Sequence, residues 1–120
     1  MRLYLDTNVI MDFLLERHQP STDLIMAAIA CAHELCISDL TFFELNRQDL
    51  AGRIVWFLAF CNKKISILPI TVEDERFATT LATHQSDALH YAVARSCDAL
   101  VTRNVRDFPF PRVMKPIDVK

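Results

Sequence analysis

Strand-like and helix-like segments alternate along the whole chain of 120 residues. The segments "LYL", "CIS", "ISILPI", "DALVT" and "RVMKPIDV" are short and mostly apolar, as strands are, and each is bounded by turn or helix signals. Between them lie segments with apolar residues at helical spacing. Strands separated by helices pair in parallel and are covered on both faces. The pattern therefore predicts a single α/β domain over residues 1–120. We expect a three-layer α/β/α sandwich with a central, mainly parallel sheet of four or five strands.

The composition favours a folded domain, and its charge balance is not that of a strongly basic protein that binds nucleic acid through its overall positive charge. Apolar residues make up 52% of the chain, with one Gly and five Pro, so loops should be short. Thirteen Lys and Arg against fifteen Asp and Glu give a net charge of −2. Any nucleic-acid partner would then be held by a local patch or by bound cations.

No membrane partner is predicted. The longest apolar stretches fall short of the roughly 20 residues that a membrane span needs. Asp6, Asp12 and Glu16 interrupt the first apolar run, which argues against a signal peptide. We therefore expect a cytoplasmic protein.

The cysteines and histidines show no spacing typical of a zinc site. No CxxC pair occurs, and the cysteines lie within apolar segments, which indicates core residues in a reducing compartment. They are Cys31, Cys36, Cys61 and Cys97. The four histidines are scattered along the chain without paired ligand spacing.

Acidic residues, in contrast, follow the predicted strands. Asp6 ends the first strand, Glu44 lies about two turns into the helix after "CIS", Asp87 is in the first turn of the "SDALHYA" helix, and Asp107 follows "ALVT". The carboxyl ends of parallel strands gather at one edge of a sheet, so four carboxylates should converge there. Like charges repel unless a cation lies between them. Oxygen ligands without Cys or His favour Mg²⁺ or Mn²⁺.

Structural roles compete with this interpretation at each position. Asp6 suits a turn or a helix cap, and Asp87, directly after Ser86 as the predicted N-cap, suits the positive end of a helix dipole. Asp107 has arginine neighbours in "RNVRDF". Glu44, in the apolar setting "TFFEL" after the predicted N-cap Ser38, is harder to explain as a solvated residue.

Four segments together resemble the signature segments of the PIN-domain family, particularly the small toxin nucleases of the VapBC type. They are "LYLDTNVIMD", "ISDLTFFEL", "SDALHYAVA" and "LVTRNVRDF", in that order, and they span nearly the whole chain. The resemblance implies a metal-dependent endoribonuclease that hydrolyses RNA phosphodiester bonds. It implies Asp6, Glu44 and Asp87 as catalytic acids and metal ligands.

The last segment departs from the family pattern. Thr102 matches the family's threonine, but Asn104 stands where a further acid is common, and Asp107 follows three residues later. An Asn oxygen can ligate a hard cation but brings no charge. Asp107 is the candidate fourth catalytic acid, and whether it or Asn104 completes the site stays open. Asn8, Thr102 and Asn104 are candidate supporting residues through hydrogen bonds.

Basic residues near the end of the sequence are candidates for holding flanking RNA phosphates. They are Arg103, Arg106, Arg112 and Lys115. A solvated surface explains them equally well. Asp12, one helical turn beyond Asn8, is expected to be an outer-shell or surface group.

The resemblance also implies a homodimer and a small antitoxin protein as partners. In "GRIVWFLAFC", Trp56, Phe57 and Phe60 exceed what one buried stripe requires, which indicates either an interface or a helix central to the core. Two other functions stay open: an RNA-processing nuclease that is not a toxin, and a catalytically weak module that binds RNA or protein. A receiver domain is disfavoured, because the middle of the chain reads "IVWFLAF" where a phosphoacceptor Asp would be needed.

Overall fold

A sheet of five parallel strands runs through the centre of the molecule, in the order β3-β2-β1-β4-β5. The structure is a computed structural model that describes residues 1–30 and 33–119. The strands are β1 (Arg2–Leu5), β2 (Glu34–Ser38), β3 (Ile65–Leu68), β4 (Ala99–Val101) and β5 (Val113–Met114). The prediction of a mainly parallel sheet of four or five strands is confirmed.

In the part of the chain that the structure describes, six α-helices connect and cover the strands. They are α1 (Thr7–Leu14), α2 (Gln19–Ala30), α3 (Asp39–Arg47), α4 (Ala51–Cys61), α5 (Val72–Ala78) and α6 (Gln85–Ala94). Because the strands are parallel, each connection must return to the opposite edge of the sheet, and a helix is the usual way to do so.

The central position of β1 decides what surrounds its carboxyl end. Leu3 aligns with Leu35 of β2 on one side and with Ala99 of β4 on the other. Asp6, which follows β1, therefore lies in the middle of the carboxyl edge, between the ends of β2 and β4.

Successive side chains of β1 point to opposite faces of the sheet, as the period of a strand requires. Leu3 and Leu5 belong to the larger core, which α1 to α4 cover. Tyr4 belongs to the smaller core with residues of α6 such as Tyr91 and Val93. This alternation produces the three layers, and it places Asp6 on the same face as Tyr4, toward α6.

The N-cap predicted for α3, which carries Glu44, is confirmed, whereas the N-cap predicted for α6, which carries Asp87, is wrong. Ser38 is the N-cap of α3, as predicted, and its N–H donates to Thr41 Oγ1 at 3.2 Å. The prediction of Ser86 as the N-cap of α6 is wrong. α6 begins at Gln85, because the ring of His84 acts as the cap and its Nδ1 accepts the N–H of Ser86 at 3.3 Å.

Three of the cysteines are buried and free, in agreement with their predicted place in the core. They are Cys36, Cys61 and Cys97, whereas Cys31 lies outside the described residues. Among the helices that the structure describes, none is long and apolar enough to cross a membrane.

Candidate active site

A cleft of about 280 Å³ opens at the carboxyl edge of the sheet, where the ends of β1 and β4 meet α3 and α6. The side chains around it are mainly polar. They are Asp6, Thr7, Asn8, Met11, Glu44, Arg47, Gln48, Asp87, Asn104 and Asp107. All four acids predicted from the sequence thus border one cleft.

Asp6 occupies the N-cap position of α1 but does not act as a cap. Its side chain forms no capping hydrogen bond. Instead, Oδ2 accepts the hydroxyl of Thr102 at 2.7 Å, and the side chain is only 8% exposed. Burial raises the pKa of Asp6, although the nearby His90 and the hydrogen bond from Thr102 act in the opposite direction. The alternative role of Asp6 as a helix cap is therefore not what the structure shows.

The carboxyl group of Asp87 is perturbed by burial and by its acidic neighbours. Burial, followed by the negative charges of Asp6 and Asp107, raises its pKa to about 6. Asp87 is in the first turn of α6, where the helix dipole favours a negative charge. Burial, together with the repulsion from the other two carboxyl groups, outweighs that effect. The acids are thus close enough to oppose one another's ionisation.

Glu44 is held by two short hydrogen bonds to the same oxygen. Its Oε1 accepts from Thr7 Oγ1 at 2.6 Å and from His90 Nε2 at 2.6 Å. Burial acts to raise the pKa of Glu44, but the hydrogen bonds and the electrostatic interaction with His90 outweigh it, so the pKa is lowered. Glu44 consequently ionises more readily than an ordinary glutamate.

His90 itself lies below the cleft and is 1% exposed. Its Nδ1 is 2.7 Å from the hydroxyl of Tyr4, and that hydroxyl is 2.7 Å from Oγ of Ser38. Burial raises the pKa of Tyr4, so its hydroxyl stays protonated at neutral pH. A continuous hydrogen-bonded chain therefore runs from the interior to Glu44.

The supporting residues predicted from the sequence lie around Asp6. The backbone N–H of Asn104 donates to Thr102 Oγ1 at 3.1 Å, which ties the last motif to the hydroxyl that contacts Asp6. Oδ1 of Asn8 is buried and accepts no hydrogen bond from the described residues. A buried oxygen of this kind is a natural cation ligand, because such groups are otherwise paired.

The residues around the cleft offer donors for a metal ion. Across residues 1–30 and 33–119, no three His, Cys, Asp or Glu side chains are arranged as a complete metal site. However, the donors around the cleft are hard oxygen atoms, which suit Mg²⁺ or Mn²⁺. The repulsion that raises the pKa of Asp87 is also what a divalent cation relieves. The residues therefore fit such an ion if the carboxylates draw together around it.

The predicted basic residues are not all brought to the cleft. Lys115 follows β5 at the carboxyl edge, and Arg106 is exposed in the short turn Val105–Asp107 beside it. Arg112 precedes β5, and its Nη1 donates to the carbonyl of Cys97 at the opposite edge of the sheet. Parallel strands all begin at the same edge of the sheet, and the acids lie at the other edge, where the strands end. The side chain of Arg112 therefore points away from the acids.

Asp12 is fully buried, so the expectation of a surface position is wrong. Its Oδ1 pairs with Arg17 Nη2 at 3.1 Å, and its Oδ2 pairs with Arg103 Nε at 3.3 Å. The two guanidinium groups supply the positive charge that lets a carboxylate be buried. Arg103 is accordingly tied to α1, and it links that helix to the loop that carries Thr102 and Asn104.

Sequence reasoning missed several residues of the site, although weak signals existed. Tyr4 is two residues before Asp6 and so shares its face of the strand, and His90 is three residues after Asp87 and so shares its side of the helix. Thr7 follows Asp6 at the start of α1, and Arg47 lies on α3, which carries Glu44; both border the cleft. The spacing alone does not show that these side chains meet.

Comparisons with known proteins identify the family. The model of the PIN domain family matches residues 3–115. The chain therefore belongs to the PIN-domain family. No curated protein sequence matches it.

Solved structures with the same fold include three toxin-antitoxin assemblies. The chain is 23% identical to a chain of a toxin-antitoxin complex from Klebsiella pneumoniae, with a TM-score of 0.72, covering 98% of this chain and 99% of that one. It is 16% identical to a chain of VapBC2 from Rickettsia felis bound to a promoter DNA fragment, with a TM-score of 0.69 and coverage of 96% and 97%. For DNA-bound VapBC from Salmonella typhimurium the identity is 16%, the TM-score 0.68 and the coverage 96% of both chains. At these identities the likeness establishes a shared fold.

Proposed function

We propose that this chain is a divalent-metal-dependent endoribonuclease, built as one domain over residues 1–120. The observation that carries the proposal is the convergence of Asp6, Asp87 and Asp107 at one cleft, where burial and the charges of the other two acids raise the pKa of Asp87 to about 6. A module that only binds RNA gains nothing from opposed carboxylates where a phosphate would lie, because they repel it. A metal-dependent nuclease needs them.

The residues have distinct roles in this proposal. Asp6 and Asp87 hold the ion, which is Mg²⁺ or Mn²⁺. Glu44 has one oxygen engaged by Thr7 and His90, so its other oxygen is the one available to the ion or to the attacking water. Asp107 borders the cleft and supplies the charge that Asn104 lacks.

When bound, the ion supplies positive charge for the scissile phosphate and makes a nearby water molecule more acidic. The protein orients the reacting groups around it. Thr102 fixes the carboxylate of Asp6 through its hydroxyl, and Thr7 fixes that of Glu44. Attack by water requires no 2′-hydroxyl, so the products are expected to carry a 5′-phosphate. Products ending in a 2′,3′-cyclic phosphate would contradict this mechanism.

Three cations are placed to hold the RNA backbone near the acids. Arg47 borders the cleft directly, while Arg106 and Lys115 lie on the same edge of the sheet. Charge-assisted contacts with phosphates position a nucleic acid without reading its sequence. Arg103 contributes less, because Asp12 already neutralises it.

The decisive experiment is cleavage of structured and single-stranded RNA with Mn²⁺. We expect cleavage by the wild type, loss of cleavage with EDTA, and at least a hundredfold loss in Asp6→Asn and Asp87→Asn. Asp23→Asn is the matched control, because Asp23 is an exposed acid on α2 that does not border the cleft and whose Oδ1 accepts a hydrogen bond from Gln19. Equal activity in all four proteins, or activity unaffected by EDTA, would contradict the proposal.

We further propose that the nuclease is the toxin of a toxin-antitoxin pair and acts in the cytoplasm. The support is the fold that the chain shares with chains of VapBC and toxin-antitoxin complexes. The partner would then be a small antitoxin. Expression of the chain alone should arrest growth, and co-expression with the protein of the neighbouring reading frame should restore it. Growth that is unaffected by an active nuclease would favour a processing role instead.

A homodimer is proposed from the exposed apolar side of α4. Phe57 is fully buried and belongs to the core, whereas Val55 is 68% and Trp56 54% exposed. Trp56 stacks on Phe60 with ring centroids 5.0 Å apart, so a flat aromatic surface faces outward. Exposed aromatic residues of this kind are enriched at interfaces. Elution as a strict monomer at micromolar concentration in size-exclusion chromatography would remove this part of the proposal.

A further inference from the structure

A layer of buried polar side chains lies directly beneath the acids. It consists of Tyr4, Ser38 and His90, none of which is more than 1% exposed. The hydroxyl of Tyr4 is 2.7 Å from both Ser38 Oγ and His90 Nδ1, and His90 Nε2 is 2.6 Å from Glu44 Oε1. Buried polar networks that are fully paired are rigid.

Each member of this layer is close to an acid of the cleft along the chain or at the start of its helix. Tyr4 precedes Asp6 by two residues on the same face of β1. His90 follows Asp87 by three residues on α6, and Ser38 is the N-cap of the helix that carries Glu44. The layer therefore joins the three elements whose carboxylates have to meet.

The donors and acceptors of the network can be assigned from chemistry. A carboxylate only accepts, so Nε2 of His90 carries the hydrogen that is shared with Glu44. Nδ1 of His90 and the hydroxyl of Tyr4 share the next hydrogen bond, and the Tyr4 oxygen and Ser38 Oγ share the one after it. Every polar group of the layer is satisfied in this arrangement.

Resting on the function proposed above, we propose that His90 is a positioning residue that aims Glu44 into the cleft. His90 is buried and does not reach the cleft surface, so it acts through Glu44 rather than on RNA. The Glu44 side chain is long and 27% exposed, and it would otherwise sample several rotamers. The bonds from Thr7 and His90 hold Oε1 toward the interior and leave Oε2 for the ion or the water.

The test compares two substitutions at His90 that differ in hydrogen bonding. His90→Gln keeps an N–H donor, whereas His90→Leu removes it at similar volume. We expect His90→Leu to lower kcat for RNA cleavage by about 10- to 100-fold and to weaken Mn²⁺ binding in calorimetry, and His90→Gln to recover most of both. KM for RNA should change by less than about threefold, because no substrate contact is lost.

Tyr4→Phe tests the lower half of the network. It removes one hydrogen bond from His90 and is expected to lower kcat by about 2- to 10-fold. Tyr91→Phe is the matched control, because Tyr91 follows His90 on α6 but its hydroxyl donates to the carbonyl of Pro111, away from the acids. We expect no change of activity in that variant.

A double-mutant cycle and a spectroscopic signature separate positioning from a general structural effect. In a Glu44→Gln background, His90→Leu should lower kcat by less than about twofold. In the metal-free wild type, the Nε2 proton of His90 should give a slowly exchanging, downfield resonance by NMR that shifts in Glu44→Gln. The NMR result does not use His90→Leu, so this resonance and the Tyr4→Phe variant still test the same hydrogen bonds if His90→Leu is poorly folded.

The experiments distinguish a failure of the role proposed for His90 from a failure of the proposed nuclease function. An active wild type with unchanged kcat and Mn²⁺ affinity in His90→Leu would overturn the role of His90 and leave the nuclease standing. A wild type that neither binds Mn²⁺ nor cleaves RNA would overturn the proposed function, and the role of His90 with it.

Discussion

Asp87 shows how the site works against the stability of the metal-free fold. Its carboxyl group has a pKa of about 6 in the folded protein, against an ordinary value of 3.8. Because the folded-state pKa is raised, the protonated group stabilises the fold. That contribution is fully present below about pH 4 and is lost as the pH rises through about 6.

We therefore predict that Asp87→Asn stabilises the metal-free protein at pH 7.5. After discounting for solvent screening of a half-exposed group, the expected gain is about 1 kcal/mol. Urea unfolding at pH 7.5 and at pH 4 measures it, and the difference between wild type and variant should shrink at the lower pH. A variant that is less stable than wild type at pH 7.5 would show that the helix-dipole interaction of Asp87 outweighs the repulsion.

The negative charge of Asp12 is expected to stabilise the fold, unlike that of Asp87, because positive charges compensate it. The carboxylate is buried between Arg17 and Arg103. Asp12→Asn keeps the shape but loses both ion pairs, and we expect a loss of about 2 kcal/mol in the free energy of unfolding. The same substitution at the exposed Asp23 should cost less than about 0.5 kcal/mol. Equal losses in the two variants would show that the buried pairs contribute nothing.

At the scale of the element, α4 contains a glycine, Gly52, at a position where the backbone does not need one. Gly52 is the only glycine in the sequence, it is exposed, and a Cβ placed there would meet nothing within 4 Å. Its φ angle is not positive, so an L residue is tolerated. Gly52 is the second residue of α4, and a Gly that adopts a conformation open to Ala loses more backbone freedom on folding than Ala does.

Gly52→Ala is accordingly predicted to raise the free energy of unfolding by about 0.5–1 kcal/mol without changing RNA cleavage. Chemical denaturation and a cleavage assay measure the two effects. A loss of stability would indicate that the exposed side of α4 is covered closely at Gly52, for example by a second subunit.

At the scale of the whole molecule, metal binding and folding should be linked. An ion that binds only the folded protein stabilises it by about 2.7 kcal/mol at a hundredfold excess over its Kd. For a chain of 120 residues, this corresponds to a rise in Tm of roughly 10 °C.

We predict that Mn²⁺ raises the Tm of the wild type at pH 7.5 and not that of Asp6→Asn. The effect should weaken as the pH falls through about 6, because Asp87 must lose its proton before it can ligate. Thermal scans at pH 5 and 7.5, with and without Mn²⁺, test both statements. An equal rise in Asp6→Asn would place the ion elsewhere on the protein.

The sequence by itself determined the class of fold and the edge at which the acids gather. Alternating strands and helices imply a parallel sheet, and residues that follow parallel strands meet at one edge, so Asp6 and Asp107 were placed without any contact information. Local chemistry also predicted Ser38 as a cap. These inferences needed only near neighbours in the chain.

Only the tertiary structure decided which side chains touch. Tyr4 and His90 support Glu44, and Asp12 is buried between two arginines. Arg112 faces the opposite edge of the sheet. All three contacts depend on the order of the strands and on how the helices lie across them. Those relations join residues that are far apart in the chain. Spacing along one element restricts the face on which a side chain lies, but packing between elements selects its partner.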